Sequence, residues 1–300
     1  MSEYHIPVLL EESVELMKIA PGDTCVDLTF GGGGHSRRIL SQLGDQGRLY
    51  AFDRDADTAA NIPCDSRFNY VESDFRFMRA ALRARGVTQV DAVLADLGVS
   101  SHHFDTPERG FSFRGSAPLD MRMNRRGGRT AADIVNQADE QELTRIMGEY
   151  GELETPWKIA ACITRARAAK SILTTAELVE AVRPCTPRKD ESKFLTKLFQ
   201  AFRIEVNGEV EALKMALEQS LRVLRPGGRL VVISYHSLED RLVKNFMRSG
   251  RFDGVPPTDF YGRRQTPFEV LTRRAAVPRP AELELNPRSR SAKLRAAVKL

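Results

Sequence analysis

The sequence predicts an α/β protein with a parallel sheet and one long helical insertion. β-rich segments alternate with helical patterns over the first hundred residues, no convincing strand occurs in residues 105–205, and the sheet pattern then resumes. The 300 residues are 42 % hydrophobic and 28 % charged, a globular balance that excludes a disordered or fibrous protein. We therefore expect a sheet domain formed by residues 1–104 and 206–300, and a helical domain formed by residues 105–205.

Four strand-like segments precede the insertion, and their apolar runs suit strands that are covered on both faces. They span residues 24–30, 48–53, 68–71 and 90–97, with helical patterns at 36–43 and 77–85. Alternation at this spacing is typical of βαβ units, which form a parallel sheet.

Helical patterns fill the insertion, and the sheet pattern returns after it. The insertion has such patterns at residues 139–147, 156–170 and 174–183. Apolar residues recur at helical spacing from Val210 to Leu224, and Pro226 with two glycines is expected to end that helix. A strand at 229–235 and a helix at 237–247, capped by Ser237, follow. Two late β-like runs, 268–272 and 292–298, are expected to complete the sheet.

The net charge of +5 is concentrated in two segments. Residues 263–299 hold ten basic and three acidic side chains, whereas the rest of the chain holds 35 basic and 37 acidic ones. Residues 109–129 hold six arginines and one acid, Asp120. Either segment alone fits a solvated surface, but two such segments on one chain favour contacts with phosphate groups.

Neither export nor membrane insertion is indicated by the sequence. The four cysteines are widely separated, and no C-x-x-C pair suggests a zinc site or a redox dithiol. The N-terminus is acidic, unlike a signal peptide, and no apolar run approaches the roughly 18 residues that span a bilayer. We expect a reduced, cytoplasmic protein.

The sharpest local motif is the segment from Asp27 to Ser36, where four glycines follow the first predicted strand. Glycines between a strand and a helix adopt positive φ and let the backbone approach a ligand closely. The loop amides and the helix N-terminus can then donate hydrogen bonds to that ligand. Asp53 ends the second predicted strand, where a carboxylate can accept both hydroxyls of a ribose.

Two cofactors fit this layout to different degrees. A dinucleotide requires G-x-G-x-x-G, because its pyrophosphate rests on the helix, and Ser36 stands where the third glycine belongs. S-adenosylmethionine has no phosphate, and an acid followed by a glycine loop suits its methionine end. Asp27 with Gly31 to Gly34 therefore favours S-adenosylmethionine over NAD.

Two further clusters follow the next strands. Asp74 and Phe75 come after the third strand, where an adenine can stack on the phenylalanine ring, and residues 96–101 begin with Asp96 at the end of the fourth. Ligands of open parallel sheets bind outside the carboxyl ends of the strands. All four clusters are therefore expected to converge at one edge of the sheet.

Several longer motifs occur in a fixed order and carry a resemblance to a known family. They are residues 27–36, 96–101, 108–113 (ERGFSF), 118–123 (PLDMRM), 199–204 (FQAFRI), 232–241 (VISYHSLEDR) and 286–295 (NPRSRSAKLR). The chain resembles the bacterial 16S ribosomal RNA (cytosine-N4)-methyltransferase family over nearly its whole length, from His5 onward. The ERGFSF, LDMRM and SYHSLEDR segments are far more specific than the glycine loop.

The resemblance implies a class I methyltransferase with a Rossmann-like sheet and S-adenosylmethionine as the methyl donor. The acceptor it implies is the N4 amine of one decoding-centre cytosine in the 16S rRNA of the small ribosomal subunit, with the helical insert as an RNA-recognition domain. Carried onto matching positions, it assigns cofactor contacts to Gly33, Gly34, His35, Asp53, Phe75, Asp96 and His103. The family usually has glutamine at the place of His103, and a neutral imidazole offers one fewer hydrogen-bonding group than an amide.

Methylation of cytosine N4 needs this poor nucleophile held in line with the methyl group at about 3–3.5 Å. We expect a carboxylate or a carbonyl to accept the N4 hydrogens and to stabilise the positive charge that develops there. The catalytic candidate is Asp96 or a backbone carbonyl of residues 97–99. Alternatively, Asp96 binds only the amino group of the cofactor.

The two basic segments are expected to hold the RNA while the target base leaves its stack and enters the pocket. The candidate phosphate contacts are Arg109, Arg114, Arg122, Arg125, Arg288, Arg290 and Arg295. Such contacts predict an RNA affinity that falls steeply with salt.

Two other functions stay open at this point. One is an NAD-dependent oxidoreductase, suggested by the βαβ start and Asp53; the other is a non-catalytic RNA-binding or ribosome assembly factor that kept the fold. No metal is expected, because His102, His103 and Asp105 form the only cluster and match no metal-ligand spacing. No membrane partner is expected, and the protein is expected to be a monomer or a homodimer.

Overall fold

A computed structural model describes residues 7–98, 106–125 and 127–300 and contains a seven-stranded sheet. Its strands are β1 (Thr24–Asp27), β2 (Arg48–Asp53), β3 (Phe68–Glu72), β4 (Val90–Asp96), β5 (Leu224–Ser234), β6 (Phe268–Val270) and β7 (Lys293–Lys299). The spatial order is β3-β2-β1-β4-β5-β7-β6. The neighbours among β1 to β5 pair in parallel, whereas β7 runs antiparallel to both β5 and β6. This arrangement confirms the predicted α/β class and the class I methyltransferase sheet.

The central strands are buried because helices cover the sheet. In β1 three of the four residues are buried, and in β4 the run Ala92 to Ala95 is almost completely excluded from solvent. A core on one side joins Leu49, Leu94 and Val231 of the sheet to apolar residues of the helices. The helices in this part of the chain are α1 (Leu10–Met17), α2 (Gly34–Leu40) and α3 (Met78–Arg83).

Within the part of the chain that the structure describes, five α-helices occupy the region where the sequence predicts no strand. They are α4 (Ala131–Gln137), α5 (Glu140–Glu149), α6 (Pro156–Ala169), α7 (Thr175–Val182) and α8 (Glu191–Asn207). Thr130 and Thr174 each begin a helix with a capping box, which satisfies backbone N–H groups that the first turn leaves open. The buried residues Phe194, Leu198 and Phe202 recur at helical spacing along α8 and lie in a separate apolar core.

Three helices follow: α9 (Glu209–Val223), α10 (Ser237–Ser249) and α11 (Pro280–Leu285). The chain divides into two compact units, Met1–Gly98 with Glu211–Leu300, and Val99–Val210. The first holds the sheet and the second holds α4 to α8. The role of the second unit in RNA recognition stays a prediction.

Two local expectations are wrong. The strand β5 begins at Leu224 rather than at residue 229, so Pro226 and Gly227 lie inside it, where the register with β4 shifts. His236, not Ser237, caps α10: its Nδ1 accepts a hydrogen bond from the backbone N–H of Glu239 at 3.3 Å. Sequence propensity favours serine as a cap, but an imidazole nitrogen can serve as the acceptor in the same position.

Within the described residues, every helix is too short or too polar to cross a membrane.

Candidate functional site

The loop between β1 and α2 has room only for glycine at two positions. Gly33 has a φ of 75°, and a Cβ atom there would lie 2.9 Å from the Phe30 ring. A Cβ on Gly34 would clash with the ring of Pro7. Both positions therefore require glycine because the rings of Phe30 and Pro7 lie directly against the loop backbone, a close approach that a residue without a Cβ allows.

Asp27 holds the glycine loop in place through hydrogen bonds of its side chain. Its side chain is buried and accepts hydrogen bonds from the hydroxyl of Ser36 at 2.7 Å and from the backbone N–H of Thr29 at 3.0 Å. Burial raises the pKa of the Asp27 carboxyl, and its hydrogen bonds oppose this rise only in part. Asp27 therefore positions the loop that the sequence assigned to the cofactor.

Asp53 lies at the end of β2 and is tied to the same loop. One carboxylate oxygen accepts from the backbone N–H of Gly31 at 2.9 Å, and the other accepts from the backbone N–H of Asp55 at 2.9 Å. These contacts fix the direction of the carboxylate. A carboxylate offers about four lone-pair sites, so an aspartate oriented by backbone donors can also accept the hydroxyls of a ribose.

Asp96 ends β4 and has neutral or histidine partners. Its Oδ1 accepts a hydrogen bond from the hydroxyl of Tyr235 at 2.8 Å, and its Oδ2 lies 3.8 Å from Nδ1 of His35. Its backbone N–H donates to the hydroxyl of Thr29 at 2.7 Å, which links the end of β4 to the glycine loop. Burial raises the pKa of Asp96, while His35 and the Tyr235 hydrogen bond act in the opposite direction. A carboxylate of raised pKa is a stronger proton acceptor than one in water.

Tyr235 is a site residue to which the sequence analysis assigned no role. It follows β5, and β4 pairs with β5 in parallel so that Asp96 stands opposite Ile233. A Cβ on Gly98 would lie 2.8 Å from the Tyr235 ring, so a glycine is needed for the close approach. Burial and the nearby Asp96 raise the pKa of the Tyr235 phenol, which keeps it protonated as a donor. Its place directly after a strand that neighbours β4 was the signal that could have found it.

His35 is buried beside the first turn of α2. Its Nε2 lies 3.2 Å from the carbonyl oxygen of Val8. Because a carbonyl only accepts hydrogen bonds, Nε2 is the protonated nitrogen in this contact. Nδ1 of His35 lies 3.8 Å from Oδ2 of Asp96, beyond hydrogen-bonding distance, so His35 packs beside the carboxylate while its Nε2 ties the start of α2 to Val8.

Phe75 stands at the start of a short helical turn, Phe75–Phe77, after β3. The side chain of Asp74 caps this turn through the backbone N–H of Arg76 and makes ion pairs with Arg54 and Arg76 at 3.2 and 3.1 Å. Phe75 lines an apolar cleft together with Leu28, Leu97 and Leu217. The free space among these side chains is only about 10 Å³, the room needed by one water molecule, so the adenine position expected at Phe75 stays a prediction.

Two of the seven arginines expected at phosphates are buried. The guanidinium of Arg109 donates to the carbonyl oxygens of Arg122 and Met123 at 3.1 and 2.9 Å, and so joins the ERGFSF and LDMRM motifs. Arg295 is 8 % exposed and pairs with Asp240 through hydrogen bonds of 2.6 and 3.2 Å. Their guanidinium groups face the protein interior rather than the surface.

The other five arginines are more accessible. Arg122 is half-buried and makes a two-pronged pair with Asp120, at 2.7 and 2.9 Å. The exposed members of the set are Arg114, Arg125, Arg288 and Arg290. His103 and the carbonyl of residue 99 lie outside the described residues.

Comparisons with known proteins cover nearly the full chain. The model of the MraW methylase family matches residues 2–300. A relative from Bacteroides thetaiotaomicron, named ribosomal RNA small subunit methyltransferase H, is 56 % identical over 99 % of this chain and 97 % of its own. One of the same name from Flavobacterium johnsoniae is 50 % identical over 99 % of this chain and 98 % of its own. A solved structure of a putative rRNA methylase from Clostridium thermocellum has a TM-score of 0.44 and 16 % identity, covering 99 % of this chain and 100 % of that one.

Proposed function

The chain belongs to the MraW methylase family, and from this membership we propose that it methylates the ribosomal RNA of the small subunit. The relatives that are 50 to 56 % identical carry this activity in their names, and each is matched over nearly its whole length. The acceptor we propose is the N4 amine of one decoding-centre cytosine in 16S rRNA, as the ERGFSF, LDMRM and SYHSLEDR motifs imply. Bacterial ribosomes are assembled in the cytoplasm, where we place the reaction.

S-adenosylmethionine is the proposed donor, and the residues at the carboxyl edge suit it. Asp27 and Asp53 hold the glycine loop after β1 through backbone hydrogen bonds, and we assign the backbone of this loop, including Gly33 and Gly34, to the methionine end. Asp53 is oriented for ribose hydroxyls, and Phe75, shortly after β3, offers a ring on which the adenine can stack. When bound, the donor supplies an electrophilic methyl carbon whose bond to sulfur breaks with its electron pair remaining on sulfur.

Asp96 is the proposed catalytic residue. The N4 lone pair of cytosine is delocalised into the ring, and a carboxylate that accepts an N4 hydrogen directs this lone pair toward the methyl carbon. The hydroxyl of Tyr235 engages Oδ1 of Asp96, so Oδ2 is the oxygen that we assign to N4. The bond from N4 to the methyl carbon forms as N4 becomes positively charged, and the surplus N4 proton passes to Asp96 or to water.

One observation carries this assignment. Among the described residues, Asp96 has no lysine or arginine partner although its side chain is only 20 % exposed, while hydrogen bonds with Tyr235 and Thr29 hold it in place. Such a carboxylate keeps an acceptor for an incoming amine and gains basicity from desolvation. If Asp96 instead binds only the amino group of the donor, its removal weakens donor binding and leaves the rate at saturating donor unchanged.

Exposed arginines are the proposed phosphate contacts. We assign this role to Arg114, Arg125, Arg288 and Arg290, because their side chains are on the surface. Each phosphate that a side chain neutralises steepens the fall of RNA affinity with salt. Arg109 and Arg295, which the sequence pattern placed in the same set, are buried and are assigned to folding instead.

The two rival functions make different predictions. Membership of a methylase family does not favour an NAD-dependent oxidoreductase, and calorimetry with NAD and with S-adenosylmethionine separates the two cofactors directly. A non-catalytic assembly factor would bind the small subunit but transfer no methyl group.

The decisive experiment measures transfer of labelled methyl from S-adenosylmethionine to small subunits from a strain that lacks the enzyme. We expect incorporation at one cytosine N4 with the wild type, and a loss of about 5- to 150-fold in donor affinity with Asp53→Ala, since unpaired ribose hydroxyls cost about 1–3 kcal/mol. Asp45→Ala, which removes an exposed aspartate elsewhere, is the matched control. No incorporation by the wild type into RNA of any subunit preparation would contradict the proposal.

A further inference from the structure

We infer that the loop of residues 257–265 is a second RNA-contacting element, which stacks two aromatic side chains on unpaired bases of the substrate and rests its arginines on the adjoining phosphates. This inference rests on the proposed function, because it takes the small-subunit RNA as the partner. It concerns a surface far along the sheet from the carboxyl edge.

The segment forms a compact hairpin. The backbone N–H of Gly262 donates to the carbonyl of Asp259 at 3.0 Å, and the backbone N–H of Asp259 donates to the carbonyl of Arg263 at 2.9 Å. Thr258 and Arg264 face each other in an antiparallel bridge. Gly262 has a φ of 76°, the conformation needed at the end of a three-residue hairpin loop with a bulge.

The side chain of Asp259 stabilises the turn. Its Oδ1 accepts hydrogen bonds from the backbone N–H groups of Tyr261 at 2.9 Å and Arg263 at 2.8 Å. An aspartate at the first position of a turn commonly makes such contacts with the residues that follow. The hairpin therefore presents Phe260 and Tyr261 in a defined geometry at its tip.

The two aromatic residues at the tip have no packing role. Phe260 is 98 % exposed and Tyr261 is 81 % exposed, and the ring contact that the described residues give them is with each other, edge to face at 5.6 Å between centroids. Turn tips normally carry glycine, proline, asparagine, aspartate or serine, which suit the turn backbone, and removing an exposed aromatic ring from water is favourable. Two rings at these positions therefore indicate a partner that covers them.

The charges around the tip favour RNA as that partner. Arg263 and Arg264 directly follow the aromatic pair, both are exposed, and neither has an ion-pair partner among the described residues. Single-stranded RNA is bound by aromatic rings that stack on its bases and by arginines that contact its phosphates.

The position of the hairpin separates it from the reacting base. It precedes β6, whose Phe268 pairs with Lys299 of β7, next to the pairing of Val298 with Arg229 of β5. This is the amino end of β5, opposite the carboxyl ends where Asp53 and Asp96 lie. The hairpin thus holds RNA away from the acceptor cytosine, so it affects substrate affinity and leaves the chemical step unchanged.

The test compares small-subunit binding and methyl transfer for three forms of the full chain. These are the wild type, the double variant Phe260→Ser with Tyr261→Ser, and the double variant Arg263→Ser with Arg264→Ser. Val277→Ser, at a residue 60 % exposed outside the hairpin, is the control for removing an exposed apolar side chain. Arg83→Ser, at the exposed last residue of α3, is the control for removing a positive charge. Thermal unfolding checks that all variants fold.

We expect the aromatic variant to bind subunits that lack the methyl group at least tenfold more weakly, with kcat at saturating subunit unchanged. The arginine variant lowers the slope of log affinity against log salt by about 0.7 for each phosphate that its side chains no longer neutralise. Ultraviolet crosslinking of the wild type should attach a nucleotide to the peptide that contains Tyr261.

If the aromatic variant binds small subunits with an affinity within twofold of that of the wild type, the inference is overturned. It is also overturned by a wild-type dimer that the aromatic variant converts to a monomer with unchanged subunit affinity, since a second copy would then cover the tip. A wild type that binds subunits but transfers no methyl overturns the proposed function instead, and the binding comparison still decides the role of the hairpin.

Discussion

Two largely buried aspartates of the sheet unit, Asp96 and Asp240, are held in opposite ways. The side chain of Asp96 is 20 % exposed and accepts a hydrogen bond from the Tyr235 hydroxyl, and the nearest histidine nitrogen, of His35, lies 3.8 Å away. The side chain of Asp240 is 12 % exposed and receives the guanidinium of Arg295 at 2.6 Å and the ammonium of Lys293 at 3.4 Å. Burial acts to raise the pKa of both carboxyls and prevails at Asp96, whereas the two basic partners of Asp240 outweigh it and hold that pKa below its usual range.

The difference shows what a permanent cation does to a buried carboxylate. The guanidinium of Arg295 compensates the negative charge of Asp240 and donates to both of its oxygens. This pair therefore ties α10 to β7. Asp96 has only weak compensation for its charge, so it keeps both basicity and an acceptor for a ligand. A largely buried aspartate without a basic partner is therefore the better candidate for chemistry at this sheet.

The largest expected effect is on the rate of methyl transfer in Asp96→Asn. An amide cannot take the N4 proton and stabilises developing positive charge less, so we expect single-turnover transfer to fall about a hundredfold or more. Donor affinity is measured in parallel by calorimetry. A rate at saturating donor that stays equal to the wild type would move Asp96 from catalysis to cofactor binding, and an unchanged affinity as well would remove it from both.

The melting temperatures of the two asparagine variants also distinguish Asp96 from Asp240. When folding raises the pKa of a carboxyl, that group stabilises the folded state at a pH below its ordinary pKa. This stabilisation is lost as the pH rises through the pKa of the carboxyl in the folded state. Asp96→Asn should therefore raise the melting temperature at pH 7, with a gain that shrinks toward acid. Asp240→Asn should lower it at pH 7, because a depressed pKa stabilises the fold above the ordinary value. A change of melting temperature in the same direction for both variants at pH 7 would contradict the comparison.

The next prediction concerns Arg295 and Arg290, which the sequence placed in one RNA-binding set. Arg295→Met leaves Asp240 with a buried charge and should lower the free energy of unfolding by about 3 kcal/mol. Arg290→Met removes an exposed side chain and should leave unfolding unchanged while it weakens RNA binding and its salt dependence. Denaturant unfolding and salt titration of subunit binding measure both. A stable Arg295→Met variant with a reduced salt slope would restore Arg295 to the RNA surface.

The smallest expected effect is that of Tyr235→Phe, which removes one hydrogen bond from Asp96 and little else. A hydrogen bond to a charged group contributes about 1.5 kcal/mol or more, so we expect the rate to fall at least about tenfold. The hydroxyl of Tyr235 holds the pKa of Asp96 down, so the acid limb of the pH–rate profile should move to higher pH without it. A lower rate with an unmoved acid limb would mean that Tyr235 acts only through packing against Gly98.

Strand positions and their order along the chain could be read from the sequence because buried strands need continuous apolar runs. The residues at strand ends, Asp53 and Asp96, could be read for the same reason, since a parallel sheet brings its carboxyl ends together. The antiparallel placement of β7 between β5 and β6 could not, because it depends on long-range pairing that local pattern does not encode. The cap at His236 was missed because propensity ranks serine above histidine.

The arginines mark the limit of reading function from composition. Arg109 and Arg295 have the same residue type and similar sequence surroundings as Arg114 and Arg290, yet the first two are buried and the last two are exposed. Whether a guanidinium faces inward depends on acceptors from distant segments, such as Asp240 for Arg295, 55 positions away. Charge runs therefore predicted where basic residues lie along the chain, but not which of them reach the surface.

By itself, the sequence determined the α/β class, the glycine loop, the aspartates at the strand ends and, through its longer motifs, the enzyme family. These are properties of local pattern, since side-chain periodicity and backbone freedom act over a few residues. Only the tertiary structure decided that Tyr235 engages Asp96 and that Asp27 holds the loop through Ser36. Those contacts arise because the parallel register of β4 with β5, and the turn from β1 into α2, bring separate segments within hydrogen-bonding distance.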